Sequence, residues 1–269
     1  MHNRKIKNTF LLGVGLLCVI LIFQSCKEIK GVYKDKAATN IKNENHGFND
    51  IFDGKTLNDW KGDSKYWRVS NGVLTGEVTP ETILKQNSFI IYKKEQPKNF
   101  ELKLEYRITD SGNSGINYRS EIVDNMPFAL RGYQCDIDGK NKFTGQNYEE
   151  KKRTTLAYLG ETVIIPKMPD TISKNNLRKN VKKNSWQTRI VKDIKIKSQL
   201  KLNIKANDWN EVHLIIKDSI MQHYVNGVLF SEVTDLDLIN KSEKGYLGVQ
   251  VHVGPPMKIE YRNIRLKHL

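Results

Sequence analysis

The chain has 269 residues, 38% of them hydrophobic and 28% charged, with a formal net charge of +14 and three cysteines. Once a short export segment is set aside, that length suits one large domain that can bury a core without disulfides or a structural metal. The charge invites a nucleic-acid reading, yet residues 161–207 alone hold 12 Lys or Arg against Glu161, Asp170 and Asp193. The excess therefore belongs to one basic segment, no nucleic-acid-binding motif accompanies it, and no nucleic-acid partner is expected.

At the start of the chain, Arg4, Lys5 and Lys7 precede an apolar run at residues 10–23, short of the roughly 20 residues a comfortable membrane span requires. Phe23-Gln24-Ser25-Cys26 follows. This reads as a lipoprotein signal over residues 1–25, with Cys26 the acylated first residue of the mature chain. An ordinary secretory signal or a marginal anchor is the alternative. The expected location is outside the cytoplasm, lipid-anchored through Cys26 to the cell envelope, in the outer membrane or facing the periplasm. Cys18 then leaves with the signal and only Cys135 remains, so neither an intramolecular disulfide nor a cysteine metal cluster can form. Residues 26–46 are polar and aperiodic, as a flexible tether would be.

A folded domain is expected over residues 47–269, and strand signals recur along it. Asn71-Gly72 is a tight-turn dipeptide between apolar flanks. Leu102, Leu104, Tyr106 and Ile108 alternate with charged residues, as one buried strand face demands. Residues 161–207, with Pro166, Pro169 and many lysines, read as a loop insertion holding a short strand near residues 190–196. Val212, Leu214 and Ile216 resume the alternation, and Asn226-Gly227 turns the chain into Val228 and Phe230. Leu247, Val249, Val251 and Val253 follow, and Ile259, Tyr261, Ile264 and Leu266 close it. Hairpin-linked strands without a βαβ rhythm predict an all-β sandwich or barrel.

Period two also sorts polar side chains onto faces. Asn117, Arg119 and Glu121 should oppose Ile116 and Tyr118. Gln134, Asp136 and Asp138 should oppose Tyr133, Cys135 and Ile137. Gln250 and His252 should oppose aliphatic neighbours. Such faces often meet only solvent. Lys103 and Glu105 are typical of solvent faces, whereas amides, Asp, His and Arg flanked by glycine are the groups that grip sugar hydroxyls, with glycine letting a ligand approach the backbone. Tyr148-Glu149-Glu150 with Arg153 offers a general base balanced by a guanidinium, or a plain ion pair. Cofactor need is open: a divalent metal is a candidate, but its oxygen and nitrogen ligands would come from distant segments. No nucleophile elbow exists and Cys135 should be buried, which disfavours serine or cysteine hydrolysis.

Taken in order, Phe48-Asn49-Asp50-Ile51-Phe52-Asp53-Gly54-Lys55-Thr56-Leu57 with Trp60, Gly72-Val73-Leu74-Thr75-Gly76, Gly112-Asn113-Ser114-Gly115-Ile116 with Arg119, Gly132-Tyr133-Gln134 with Asp136, Tyr148-Glu149-Glu150 with Arg153, and Gly248-Val249-Gln250-Val251-His252 resemble the 3-keto-disaccharide hydrolase domain family over residues 48–269. The resemblance implies a concanavalin A-like jelly-roll β-sandwich acting on 3-keto-glycosides or 3-keto-disaccharides. The implied chemistry is C2 proton abstraction, loss of the C1 substituent and hydration. It assigns Glu149 or Glu150 as base and His252 as acid or metal ligand. Arg119 and Arg153 would clamp the enolate, while Asn117, Gln134, Asp136, Asp138 and Gln250 would orient hydroxyls. Arg119, Asp136, Glu149 and His252 are thus expected around a common hollow. A non-catalytic carbohydrate-binding lipoprotein is the competing expectation, and adhesion through the basic segment a third.

Overall fold

Alternating burial along the strands assembles two sheets into a sandwich. The computed structural model describes residues 46–167 and 189–269. The signal, Cys26, the tether to residue 45, and residues 168–188 of the basic segment lie outside the described residues. One compact unit spans Phe48–Leu269.

The larger sheet runs β12 (Ile190–Ile194), β11 (Glu161–Ile165), β15 (Val228–Asp235), β14 (Ile220–Val225), β13 (Asn210–Lys217), β6 (Phe100–Ile108), β17 (Met257–His268), β4 (Val73–Val78), β3 (Trp67–Ser70), with β1 (Asn49–Asp50) beside β17. The smaller runs β10 (Thr154–Ala157), β9 (Asn147–Glu150), β8 (Leu130–Asp138), β7 (Asn113–Ile122), β16 (Tyr246–Val251), β5 (Ser88–Tyr92), β2 (Trp60–Lys61). A single apolar cluster takes Leu102, Leu104, Val212 and Leu214 from the first sheet and Ile116, Tyr133 and Val249 from the second. Each fully buried Leu, Ile or Val there contributes about 1.5–3 kcal/mol. Asn71-Gly72 and Asn226-Gly227 both take positive φ in the turns expected of them, matching the twist of the flanking strands.

Three local expectations change. Residues 161–165 are not insertion: β11 pairs parallel with β15, and its Val163 and Ile165 are buried. The adjoining proline and lysines hid a short strand, paired on both sides, whose own pattern is apolar. β12 is present and pairs with β11, although all five of its residues are exposed. β16 stops at Val251, so Val253 is exposed beyond it. Lastly, the β7–β8 register shifts between Tyr118 and Glu121, and Arg119 takes φ 44°. That bulge puts an extra residue on β7 and breaks the alternation that grouped Arg119 with Asn117.

Candidate functional site

The strands of the smaller sheet send one row of side chains into the sandwich and the next to its outer face. Adjacent outer positions follow from the register: Asn117 opposes Gln134 and Gly248, Gly115 opposes Asp136, and Gln134 opposes Tyr148. Gln134 lies flat across Gly115, where an added Cβ would come within 2.3 Å of the Gln134 amide carbon. Only glycine permits this, and it lets Gln134 Nε2 donate to Asp136 Oδ1 at 2.5 Å. From the other side, Gln146 Nε2 donates to Asp136 Oδ2 at 2.5 Å. Gly145, at φ 85°, delivers Gln146 there, and a side chain at 145 would strike Phe230.

Asp136 is half-buried between these amides. Burial pushes its carboxyl up to about 7; the Gln134 and Gln146 donors pull against that, while the charges of Glu150 and Asp138 reinforce it. Around it, Asn117, Gln134 and Gln250 are buried, yet Asn117 Oδ1, Gln134 Oε1 and both polar atoms of the Gln250 amide have no protein partner. Native interiors seldom leave such groups unpaired, since each costs about 1–3 kcal/mol. Four polar atoms on the same side of this sheet as Asp136 thus lack the hydrogen bonds that protein atoms would otherwise supply.

The remaining sequence candidates go elsewhere. Glu149 faces the interior, fully buried, and accepts from Arg153 Nε at 2.5 Å and Nη2 at 3.1 Å. Arg153 also donates to both oxygens of Asp235, at 3.1 and 2.5 Å, and to Tyr133 Oη. Burial alone would lower the Arg153 pKa, but the Glu149 and Asp235 carboxylates outweigh it and hold it well above its ordinary value. Neither residue can meet a ligand on the outer face. Arg119 is likewise spent, donating to the carbonyls of Lys98 and Asp218 and to Asn99 Oδ1. It ties two turns together and is no enolate clamp. Asp138 accepts from the backbone N–H groups of Lys142, Phe143 and Thr144, so it shapes the loop after β8 rather than orienting a hydroxyl. The four-residue hollow of Arg119, Asp136, Glu149 and His252 therefore does not form. Alternation separates the paired glutamates: Glu149 turns in, while Glu150, opposite Gly132, stands on the outer side and acts on Asp136. His252 follows the last residue of β16, half-exposed, with Nδ1 2.6 Å from the Val253 carbonyl oxygen.

Sequence reasoning passed over Gln146, whose signal was its place after a turn glycine and just before β9, the strand next to β8. It also gave His223 no role. That histidine is fully buried, Nε2 2.8 Å from Tyr118 Oη, and burial lowers its pKa to about 4, so it is a neutral interior partner. Cys135 is buried as expected.

Comparison with known proteins adds the following. The family model for a 3-keto-alpha-glucoside-1,2-lyase-like domain matches residues 47–267. A curated protein of Bacteroides thetaiotaomicron named 3-keto-disaccharide hydrolase is 34% identical over 84 residues, which span 29% of this chain and 29% of that protein. A crystal structure from Parabacteroides distasonis ATCC 8503, named as a candidate glycosyl hydrolase, superposes with a TM-score of 0.52 at 15% identity, covering 82% of this chain and 99% of that one. A Bacillus subtilis protein of unknown function with a galectin-like fold gives 0.50 at 11% identity, covering 80% and 93%. At those identities the structural matches speak to the fold, an all-β jelly-roll sandwich.

Proposed function

Because the chain belongs to the 3-keto-alpha-glucoside-1,2-lyase-like domain family, we propose that it is a carbohydrate-active enzyme cleaving 3-keto-glycosides or 3-keto-disaccharides on the outer face of its smaller sheet. The observation that carries this is a carboxylate held between two amides, with further buried amide atoms left unpaired on β7, β8 and β16 on the same side of the sheet. A ketone at C3 of a sugar acidifies the C2 hydrogen, and a carboxylate whose pKa lies near neutrality is matched to removing it. Asp136 takes the C2 proton, and the electron pair moves into the C2–C3 bond as the enolate forms. Gln250 Nε2 donates to the enolate oxygen, as preorganised amides do at developing negative charge. Asn117 Oδ1 and Gln134 Oε1 accept from sugar hydroxyls. Collapse of the enolate expels the C1 substituent, whose oxygen takes back the proton from Asp136 now in its acid form, and water adds to the unsaturated product. This assigns the base to Asp136 in place of Glu149, and the anion stabilisation to amides in place of arginines.

A caged divalent cation fits these residues poorly. Among the described residues no three His, Cys, Asp or Glu side chains converge on one point, and each oxygen of Asp136 already accepts an amide N–H.

The test incubates purified protein with a 3-keto-glucoside and with its unoxidised parent, with and without chelator. Release of the C1 substituent from the keto form alone, insensitive to chelator, is the expected result. Release from neither, with binding retained, would make the chain a sugar-binding module instead. We also propose lipid anchoring through Cys26, since the basic start, apolar run and Ser25-Cys26 pair stand in order. The described residues contain no helix long and apolar enough to cross a membrane. Cys26→Ser should move the protein from the membrane to the soluble fraction; unchanged fractionation would refute acylation there.

A further inference from the structure

At one edge of the larger sheet, apolar side chains face water. β12 pairs with β11 on one side only, and all five of its residues are exposed. Ile194 is 62% exposed and Ile196, just past the strand, 59%. The short helix Lys197–Lys201 follows, held to the main core by Leu200, and Leu202 beyond it is 86% exposed. With Tyr158, Ile190 and Val191, six of the fifteen large apolar side chains exposed among the described residues gather in this one region. A single such residue on a surface is ordinary, whereas a cluster marks a place of contact.

The charge around them is of one sign. Six of residues 189–205 are Lys or Arg, and one, Asp193, is acidic. Arg189 pairs with Glu161 and lies 5.4 Å from the Tyr158 ring centre, while Lys197 Nζ stands 5.3 Å from the same ring. Even with Asp193 and Glu161 counted, the edge keeps a positive excess. Lys195 N donates to the Gly160 carbonyl at 2.8 Å and its Nζ to the Leu229 carbonyl at 3.3 Å. Ile194 and Ile196 therefore flank a residue fixed to the sheet at two points.

Aliphatic side chains that alternate with lysines beside a tyrosine suit the boundary of a bilayer. There the apolar groups enter the acyl region, the ammonium heads reach phosphates, and a tyrosine ring sits at headgroup level. A protein strand is a poorer occupant, because Lys192 at the centre of β12 is the kind of charge that keeps sheet edges from pairing. Nucleic acid would use the lysines and leave the isoleucines and Leu202 wet. We infer that this edge docks on a surface of anionic phospholipid. With acylation at Cys26, as proposed above, 22 residues join the anchor to Phe48, and they span at most roughly 75 Å. The domain then stays within reach of such a surface. The inference does not depend on the reaction proposed for the smaller sheet.

The test uses residues 27–269, unacylated but containing the whole compact unit. Co-sedimentation is measured with vesicles of phosphatidylcholine alone and of phosphatidylcholine and phosphatidylglycerol in equal parts. Binding to the anionic vesicles only, weakened by salt, is the expected result. Lys192→Gln/Lys197→Gln should cut partitioning about fivefold per lysine, and Ile196→Ser/Leu202→Ser should cut it roughly tenfold. All four positions are exposed, and circular dichroism checks that both variants fold. Failure to bind anionic vesicles, equal binding to neutral ones, or a folded variant that binds as the unaltered protein does overturns the inference. A dimer in ultracentrifugation that Ile196→Ser/Leu202→Ser dissociates, with no vesicle bound, would give the edge to a second copy of the chain instead.

Discussion

Strands β8 and β9 carry polar side chains to both sides of one sheet, and the two sides differ in whether those groups are answered. Facing in, Tyr133 and Glu149 join Arg153 and Asp235 in a network where every guanidinium nitrogen donates to a carboxylate or a phenol. Asn147 Oδ1 is the exception on that side. Facing out, one residue along each strand, Gln134 and Asp136 sit among amides that keep unanswered oxygens and nitrogens. A saturated network has no capacity left for a ligand and serves to hold the sheets together. An unsaturated one gains its missing bonds when a ligand arrives. The contrast teaches that charge and burial alone do not separate a carboxylate in a saturated network from one beside unanswered groups, since Glu149 is the more buried of the two.

The comparison breaks most sharply at Arg153. Arg153→Met strips the counter-charge from the buried carboxylates of Glu149, Asp235 and Asp237, the last 3.5 Å away. We expect a loss of about 3–5 kcal/mol in stability by urea denaturation, as for other broken buried ion networks. Activity per folded molecule should change little. A stable variant with collapsed kcat would instead place the network in the reaction.

Asp136→Asn should give the converse result. The change keeps shape and hydrogen-bonding capacity but removes the base, so kcat/KM should fall at least roughly 100-fold with the fold intact. Before that substitution, kcat/KM should decline as pH drops below about 7, where Asp136 takes up its proton. The sign for stability is the opposite of the usual carboxylate case. Folding raises this pKa above its unfolded value near 4, so the group's contribution is fully present below about 4 and is lost as pH rises through about 7. Asp136→Asn should flatten that part of the stability curve, which thermal melts from pH 4 to 8 would show; an unaltered slope would contradict the raised pKa.

How far the sequence alone could reach follows from the same strands. Regular alternation disclosed β6 and β13 and placed Gln134, Asp136, Asn117 and Gln250 on one face, because period two is local information. It failed at Arg119, where a bulge inserts one residue, and no local pattern announces a bulge at Arg119-Ser120. Asp138 obeyed the alternation until the loop's backbone N–H groups captured it, a competition settled by the turn geometry of residues 139–144. Arg153 and Glu149 were correctly paired from their spacing, but the third partner, Asp235, is 82 residues from Arg153. That distance concealed that the pair was already satisfied. The roles implied by family resemblance were thus distributed over residues whose partners only the fold reveals.

The smallest expected effect discriminates most finely between the two faces. Gln250 is fully buried with neither amide atom bonded to protein, so it destabilises the free protein, and on the proposed function a sugar supplies the missing bonds. Gln250→Leu keeps the bulk near Phe89, its cross-strand neighbour, and removes two unanswered polar atoms. The free protein should gain about 1 kcal/mol, read as a higher denaturation midpoint, while sugar affinity and kcat fall together. The same kind of replacement at the residue of the larger sheet that answers this sheet's inner face, His223→Leu on β14, would lose stability, because His223 is bonded to Tyr118 of β7 and lies 3.3 Å from Ser231 Oγ. Should both variants shift the midpoint in the same direction, the division of this sheet into an answered and an unanswered face would not stand, and with it the placement of the sugar on Asp136.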